Sequence, residues 1–407
     1  MTRFRLPLQT IRDLAAGVAP PSLADPDDDT AVRLFAAAAW SCIPEPGDAV
    51  AGTARDALGD VRALELLVEG AEPSRWLAEA GEVASDLVRH IDDAVGRWRP
   101  RLDDARVRRS LEQGAAWGQS MLSPLAVEWP SGLDDLGPHA PAALWVRGSL
   151  AALASLDRSM ALVGSRAASG YGEHVAMEAV EGLVRHGFAT VSGAAYGIDA
   201  CVHRATMAVG GTTIAVMAGG LDRLYPPGND DLLRRVEREG ALVAEVPCGA
   251  TPSRWRFLAR NRLIAALARA TVVVEASVRS GSINTAGHAA TLGRPLGAVP
   301  GPVTSGASAG CHRLIRDYGA QLVQGADEMR ALVDGDEQDS TLGVRVGSGE
   351  TRLLDALSVR QARDADDLAS RAGMSLAEVR ATLGLLDLAG AVEQRGSGWV
   401  RRAARAG

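Results

Sequence analysis

At 407 residues with a formal net charge of −7, the chain is too long for one compact core and is expected to form two or three domains. The acidic balance excludes a protein that coats nucleic acid with its whole surface, but not one with a local basic groove. No stretch reaches the roughly 18 apolar residues of a membrane span, and the four cysteines (Cys42, Cys201, Cys248, Cys311) form no CxxC pair, which argues against a zinc site or a disulfide framework.

The opening segment, MTRFRLPLQTIRDL, lacks the apolar core of a secretory signal, so the expected location is the cytoplasm. Residues 1–115 show helical spacing in DTAVRLFAAAAW and EVASDLVRHIDDAVGRW, with DPDDDT (25–30) as a helix start or loop. No reactive constellation stands out here. The expectation is an N-terminal helical domain with a structural or protein-contact role.

The texture changes near residue 159. Apolar runs at 160–164, 188–193, 212–220, 241–246, 270–276 and 295–301 end in glycine-rich loops and alternate with helical patterns. Near-continuous β-branched runs of this kind predict a parallel sheet covered on both faces. The expected core, 116–333, is therefore a doubly wound, mostly parallel α/β domain that binds ligands at the carboxyl ends of its strands.

The first loop, VGSRAASGYGEHVA (163–176), places Gly164, Ser165 and Arg166 where a strand ends and a helix begins, an arrangement that suits an anion. It matches neither GxGxxG nor GxxxxGK[ST], so neither NAD nor ATP is expected as a cofactor. The second, VSGAAYGIDACVHRAT (191–206), holds Ser192, Gly193, Tyr196, Gly197, Asp199 and His203. Tyr196 could stack on a base, Asp199 reads most simply as a helix cap, and His203 as a packed histidine. The third, AGGLDRLYPPGNDDLL (218–233), specifies a rigid turn at Pro226-Pro227-Gly228-Asn229 and offers Tyr225 as a second ring.

All the basic residues are arginine, and every such cation presents a planar fork suited to phosphate. Between Glu245 and Glu275 lie Arg254, Arg256, Arg260, Arg262 and Arg269, with no carboxylate among them. A solvated helix face is the plain reading, and a polyanion site the sharper one. EASVRSGSINTAGHAA (275–290) adds a second phosphate-friendly helix entry at Gly281, Ser282, Asn284 and Thr285.

Residues 334–349 are polar and acidic and read as a linker. Beyond them, 350–407 reads as a winged helix: Ala372-Gly373 supplies a turn, Ser375 and Glu378 a capping box, and AVEQRGSGWVRR a two-stranded wing.

Taken together, ALVGSR, TVSGAAYGIDACVHRAT, TTIAVMAGGLDRLYPPGN, FLARNRLIAALARATVVVEASVRSGSINTA and GRPLGAVPGPVTSGASAGCHRLIRDYGAQLV resemble the DNA-processing protein A (DprA/Smf) family in order and spacing, closely over 120–325. The resemblance implies an extended Rossmann-like core that binds single-stranded DNA and loads a RecA-type recombinase during natural transformation. It also implies a homodimer with no catalytic residues, cofactor or metal. By position, the DNA pocket would be lined by Gly164, Ser165, Arg166, Ser192, Gly193, Tyr196, Gly197, Asp199, Arg260, Asn261 and Arg262, with Ser280, Gly281 and Ser282 as its floor.

Several positions depart from the family pattern. Tyr196 stands where an arginine is usual, Pro227 where some members carry lysine, FLA precedes RNR where a more basic or proline-bearing stretch is common, and His312 replaces an asparagine. DNA binding is expected to persist but to be weaker or differently distributed. Arg260 and Arg262 alternate around Asn261, so one is expected at phosphate while the other braces the pocket or pairs with a carboxylate such as Glu275. Two other readings stand beside this one. A nucleotide-processing hydrolase on a related core would need a carboxylate in a glycine-rich loop, with Asp199 and Glu275 the nearby candidates. A winged-helix regulator would need a basic recognition helix, whereas SLAEVRATLGLLDLAG carries Arg380 alone.

Overall fold

The computed structural model describes residues 2–81, 85–335, 348–388 and 390–402. Two short strands, β1 (Thr2–Arg3) and β2 (Leu6–Pro7), pair at the N-terminus. Helices follow in succession to Ala116, and the aspartates scattered through this segment start several of them. Asp27 accepts from Thr30 N–H at 2.8 Å, and Asp48 and Asp103 do the same for Val50 and Ala105. Such caps satisfy N–H groups that a helix start leaves orphaned. Trp40, Trp76 and Trp98 pack together, with ring centroids 5.4 and 6.0 Å apart.

Nine strands then build one sheet: β3 (Ser120–Leu122), β4 (Leu144–Gly148), β5 (Ser159–Gly164), β6 (Ala189–Ser192), β7 (Thr213–Met217), β8 (Ala241–Ala244), β9 (Ala270–Glu275), β10 (Leu296–Ala298) and β11 (Gln321–Leu322). Their order is β11-β10-β9-β5-β6-β7-β8-β4-β3, parallel except where β4 joins β8 and β3 joins β4. All six strands expected from apolar runs are present. The chain lays β5 to β8 outward in one direction, then returns so that β9 pairs with the other side of β5. Strand order therefore reverses between β5 and β9, and in such sheets ligands bind in the crevice beyond the strand ends at that point. The β5–β9 register also slips at Val163/Gly164, re-aiming the chain where the first loop begins.

Side chains alternate between faces along each strand. Trp145, Ala215, Met217, Leu242 and Ala244 share a core with the N-terminal helices, while Leu144, Val146, Ile214, Val216 and Val243 pack with the helix Arg254–Leu267 on the other face. Near the switch point, Met160, Leu162, Val272 and Val274 pack against the helices Gly170–Arg185 and Ile198–Ala208. Residues 1–335 thus form one compact unit, and 336–407 a second. Most of the expected linker, 336–347, lies outside the described residues.

The second unit is the expected winged helix. Its helices Ser348–Ala356, Ala365–Ala372 and Leu376–Leu388 precede a hairpin of β12 (Val392–Arg395) and β13 (Gly398–Arg401). Gly373 adopts the left-handed conformation that ends the second helix (φ 61°). Ser375 and Glu378 form the reciprocal capping box, each backbone N–H donating to the other's side chain at 2.8 and 3.3 Å. No helix among the described residues is long and apolar enough to cross a membrane.

Candidate nucleic-acid interface

A cavity of about 670 Å³ lies over the switch point. Its walls come from the loops after β5 (Gly164 to Ala167), β6 (Ala195, Asp199) and β9 (Ser277 to Ser282), and from the N-terminal half of the helix Arg254–Leu267. Gly164, Ser165, Arg166, Asp199, Arg260, Asn261, Ser280, Gly281 and Ser282 all line it. Ser192, Gly193, Tyr196, Gly197 and Arg262 do not.

Close packing of the loops explains several of these positions. Ser165 N–H donates to Glu275 O at 2.7 Å, joining the first loop to β9. Gly197 sits at φ 76°, where a Cβ would lie 2.2 Å from Ser165 O, so the second loop presses backbone to backbone on the first. Asn229 of the Pro-Pro-Gly-Asn turn donates to Ala194 O at 3.0 Å and Ala195 O at 3.3 Å, holding the second loop from behind. Ser192 and Gly197 are thus structural supports: Ser192 is buried and donates to Leu162 O at 2.7 Å. Ser280 and Ser282 hydroxyls meet at 2.7 Å on the cavity floor, and Asn261 donates to Asn284 Oδ1 at 3.1 Å.

The arginine run divides by function. Arg260, only 5% exposed, lies at the back of the cavity and donates to Gly193 O at 2.6 Å and to Val216 O. Burial lowers its pKa to about 10, with Asp199 opposing the shift and Arg166 adding to it. Arg262 turns away from the cavity altogether. Both of its terminal nitrogens reach Glu245 at 2.7 Å, and Nε donates to His139 O at 3.0 Å. The alternation about Asn261 does separate the two arginines, but the carboxylate involved is Glu245. Glu275, the suggested partner, instead accepts from Ser169 N–H at 2.9 Å and Ser169 Oγ at 2.6 Å. Arg256 is engaged as well, with Glu45 at 3.1 Å.

Of the cations lining this cavity, Arg166, Arg254 and Arg279 are exposed; Arg269, also exposed, lines a separate cavity. Asp199 is the one carboxylate among the lining residues, and burial raises its pKa. It accepts from Ala195 N–H at 3.3 Å inside the first turn of its helix, where it ties loop to helix. His203 is fully buried behind it, with Nδ1 2.7 Å from Thr213 Oγ1, as a packed histidine.

Two rings face the same space. Tyr225, 41% exposed, lies 5.6 Å from Phe257, and the Arg166 guanidinium lies 5.1 Å from the Phe257 ring centre, a cation–π distance. Tyr196 turns elsewhere: its hydroxyl accepts from Gly228 N–H at 3.2 Å. Sequence reasoning omitted Phe257, Arg254 and Arg279 from the pocket, although Phe257 and Arg254 precede Arg260 by three and six residues on one helix. Among the described residues, no group of three or more His, Cys, Asp or Glu side chains could hold a metal ion.

The comparisons agree with this architecture. The family model for DNA recombination-mediator protein A matches residues 120–334, and that for the DprA winged helix domain matches 345–398. A Mycobacterium tuberculosis protein bearing the DNA processing protein DprA name is 42% identical over 344 residues, covering 80% of this chain and 86% of that one. Protein Smf of Escherichia coli K12 is 36% identical over 64% of this chain and 72% of its own. The X-ray structure of DNA processing protein A from Streptococcus pneumoniae aligns with a TM-score of 0.58 at 28% identity, over 74% of this chain and 96% of that one. With that core, that winged helix and these relatives, the chain belongs to the DNA-processing protein A (DprA/Smf) family.

Proposed function

We propose that the cavity over the β5–β9 switch point holds the backbone of single-stranded DNA, and that the protein is a recombination mediator that protects incoming DNA and loads a RecA-type recombinase during natural transformation. The observation that supports this most is the convergence of Arg166, Arg254 and Arg279 with the Tyr225–Phe257 pair on one cavity. Single-strand binders combine these two elements: a basic track for phosphates and rings for unstacked bases. Duplex DNA keeps its bases stacked inside, out of reach of a recessed ring.

The chemistry favours binding over turnover. Asp199 is the lone lining carboxylate, it is buried, and it is committed to a backbone N–H. A glycosidic hydrolase built on two carboxylates would need a second one at this cavity. The winged helix fits a duplex reader poorly, because the helix Leu376–Leu388 carries Arg380 as its single cation beside Glu378 and Asp387, and exposes Leu385 and Leu388. A homodimer, the recombinase as partner and a cytoplasmic location belong to the same proposal and rest on family membership.

The mediator role is tested by recombinase assembly on single strands already coated with a single-strand-binding protein. Wild type is expected to speed filament formation, and the Arg166→Ala/Arg279→Ala double variant to lose most of that effect. Equal rates with and without the protein would contradict loading. Release of a free base or nucleotide during incubation with DNA or nucleotides would contradict the non-enzymatic reading.

A further inference from the structure

The helix Arg254–Leu267 carries its polarity inside out. Arg260 and Arg262 are 5% and 4% exposed, while Trp255 is 60% exposed. Arginines are among the residues least often buried, whereas tryptophan is highly buried on average. Leu258 is also exposed and lies three residues on, so the two apolar side chains are neighbours on one face of the helix.

The place of this exposed face matters more than its hydrophobicity. Arg254 and Leu258, on either side of Trp255 in sequence, both line the cavity. Trp255 does not line it, whereas Tyr225 and Phe257 do. Arg256 cannot cover the indole, because Glu45 accepts from its guanidinium at 3.1 and 3.2 Å and draws it toward the N-terminal helices. The helix start is itself held by Ser253, whose hydroxyl accepts from Arg256 N–H at 3.2 Å. An ordered helix thus presents an exposed indole next in sequence to Arg254, one of the three exposed arginines that line the cavity.

Resting on the DNA-binding reading above, we infer that Trp255 is a stacking platform for a nucleobase of the same single strand, one that lies just outside the cavity whose arginines hold the strand's phosphates. The cations of the cavity select a polyanion, and the indole face accepts any base, because every base has a π-face. The platform extends the bound length beyond what the cavity alone encloses, and it makes oligonucleotides better ligands than mononucleotides.

The test compares wild type, Trp255→Tyr and Trp255→Ala against a labelled single-stranded oligonucleotide and against oligonucleotides with one abasic nucleotide moved along the strand. Trp255→Ala is expected to weaken binding about 5- to 150-fold, the range of one stacked base. Trp255→Tyr should retain most of the affinity, since it keeps a ring. At one abasic position wild type should lose affinity while Trp255→Ala loses no more, a coupling that a merely structural residue would not show. Quenching of tryptophan fluorescence on binding should shrink in Trp255→Tyr. Intact wild-type binding with an unchanged Trp255→Ala, or with no position-specific coupling, overturns the platform and leaves the cavity reading in place. Absence of any wild-type binding overturns both.

Discussion

Arg260 and the missing side chain of Gly193 occupy the same space: a Cβ on Gly193 would lie 2.7 Å from the Arg260 Nη2 atom, and Arg260 Nη1 already donates to Gly193 O at 2.6 Å. The glycine at this point in the second loop makes room for a guanidinium rather than for a ligand. Gly193→Ala should therefore displace Arg260, at a cost of about 1–3 kcal/mol as overpacking of a tight site. Denaturant unfolding should show that loss, and single-strand affinity should fall with it because Arg260 backs the cavity.

Arg254 and Arg262 should behave as opposites although they lie on one helix. Arg262→Ala leaves Glu245 buried without its bidentate partner, and breaking such a pair costs about 3–5 kcal/mol. Stability should drop by that order, with the salt slope of DNA binding in the folded fraction unchanged. Arg254→Ala should leave the unfolding midpoint where it was and make the salt slope shallower by about 0.7, the share of one phosphate contact on a single strand. Equilibrium unfolding and salt titrations of the two variants check both halves.

The buried imidazole of His203 gives stability a pH dependence of definite sign. Burial, with Arg260 and Arg204 nearby, pushes its pKa from 6.5 to about 3. The unfolded chain then takes up a proton below pH 6.5 that the native state refuses. The contribution of His203 is fully present above that pH and is lost as pH falls toward 3, by up to about 1.4 kcal/mol per pH unit. Unfolding free energies measured from pH 7 to pH 4 should fall for wild type, and less steeply for His203→Gln.

Much of the fold was legible because buried parallel strands are near-continuous apolar runs, as at Ala270–Glu275. Strands toward the two ends of the sheet were harder. Leu144–Gly148, one in from the edge, contains Arg147, which is buried through Glu237 at 2.8 Å and Leu221 O at 2.9 Å, and the edge strand Gln321–Leu322 is two residues long. In the candidate site, the spacing of Arg260 and Arg262 requires that they diverge, but which one faces the cavity depends on Glu245, 17 residues earlier at the end of the preceding strand β8. Tyr196 stood out as a ring in a glycine-rich loop, yet the turn at Gly228 draws its hydroxyl away. Phe257 reads as one more apolar residue of a helix until Tyr225 and Arg166 are found against it.

Fluorescence anisotropy of a labelled single strand and of its duplex across a salt series tests the central claim most directly. Wild type and the single variants Arg166→Ala, Arg254→Ala and Arg279→Ala would be measured together. The expected result is a preference for the single strand, a log–log salt slope near −2 from about three phosphate contacts, and a slope shallower by about 0.7 in each variant. Binding that ignores all three arginines, or that favours the duplex, would contradict the assignment of this cavity to single-stranded DNA.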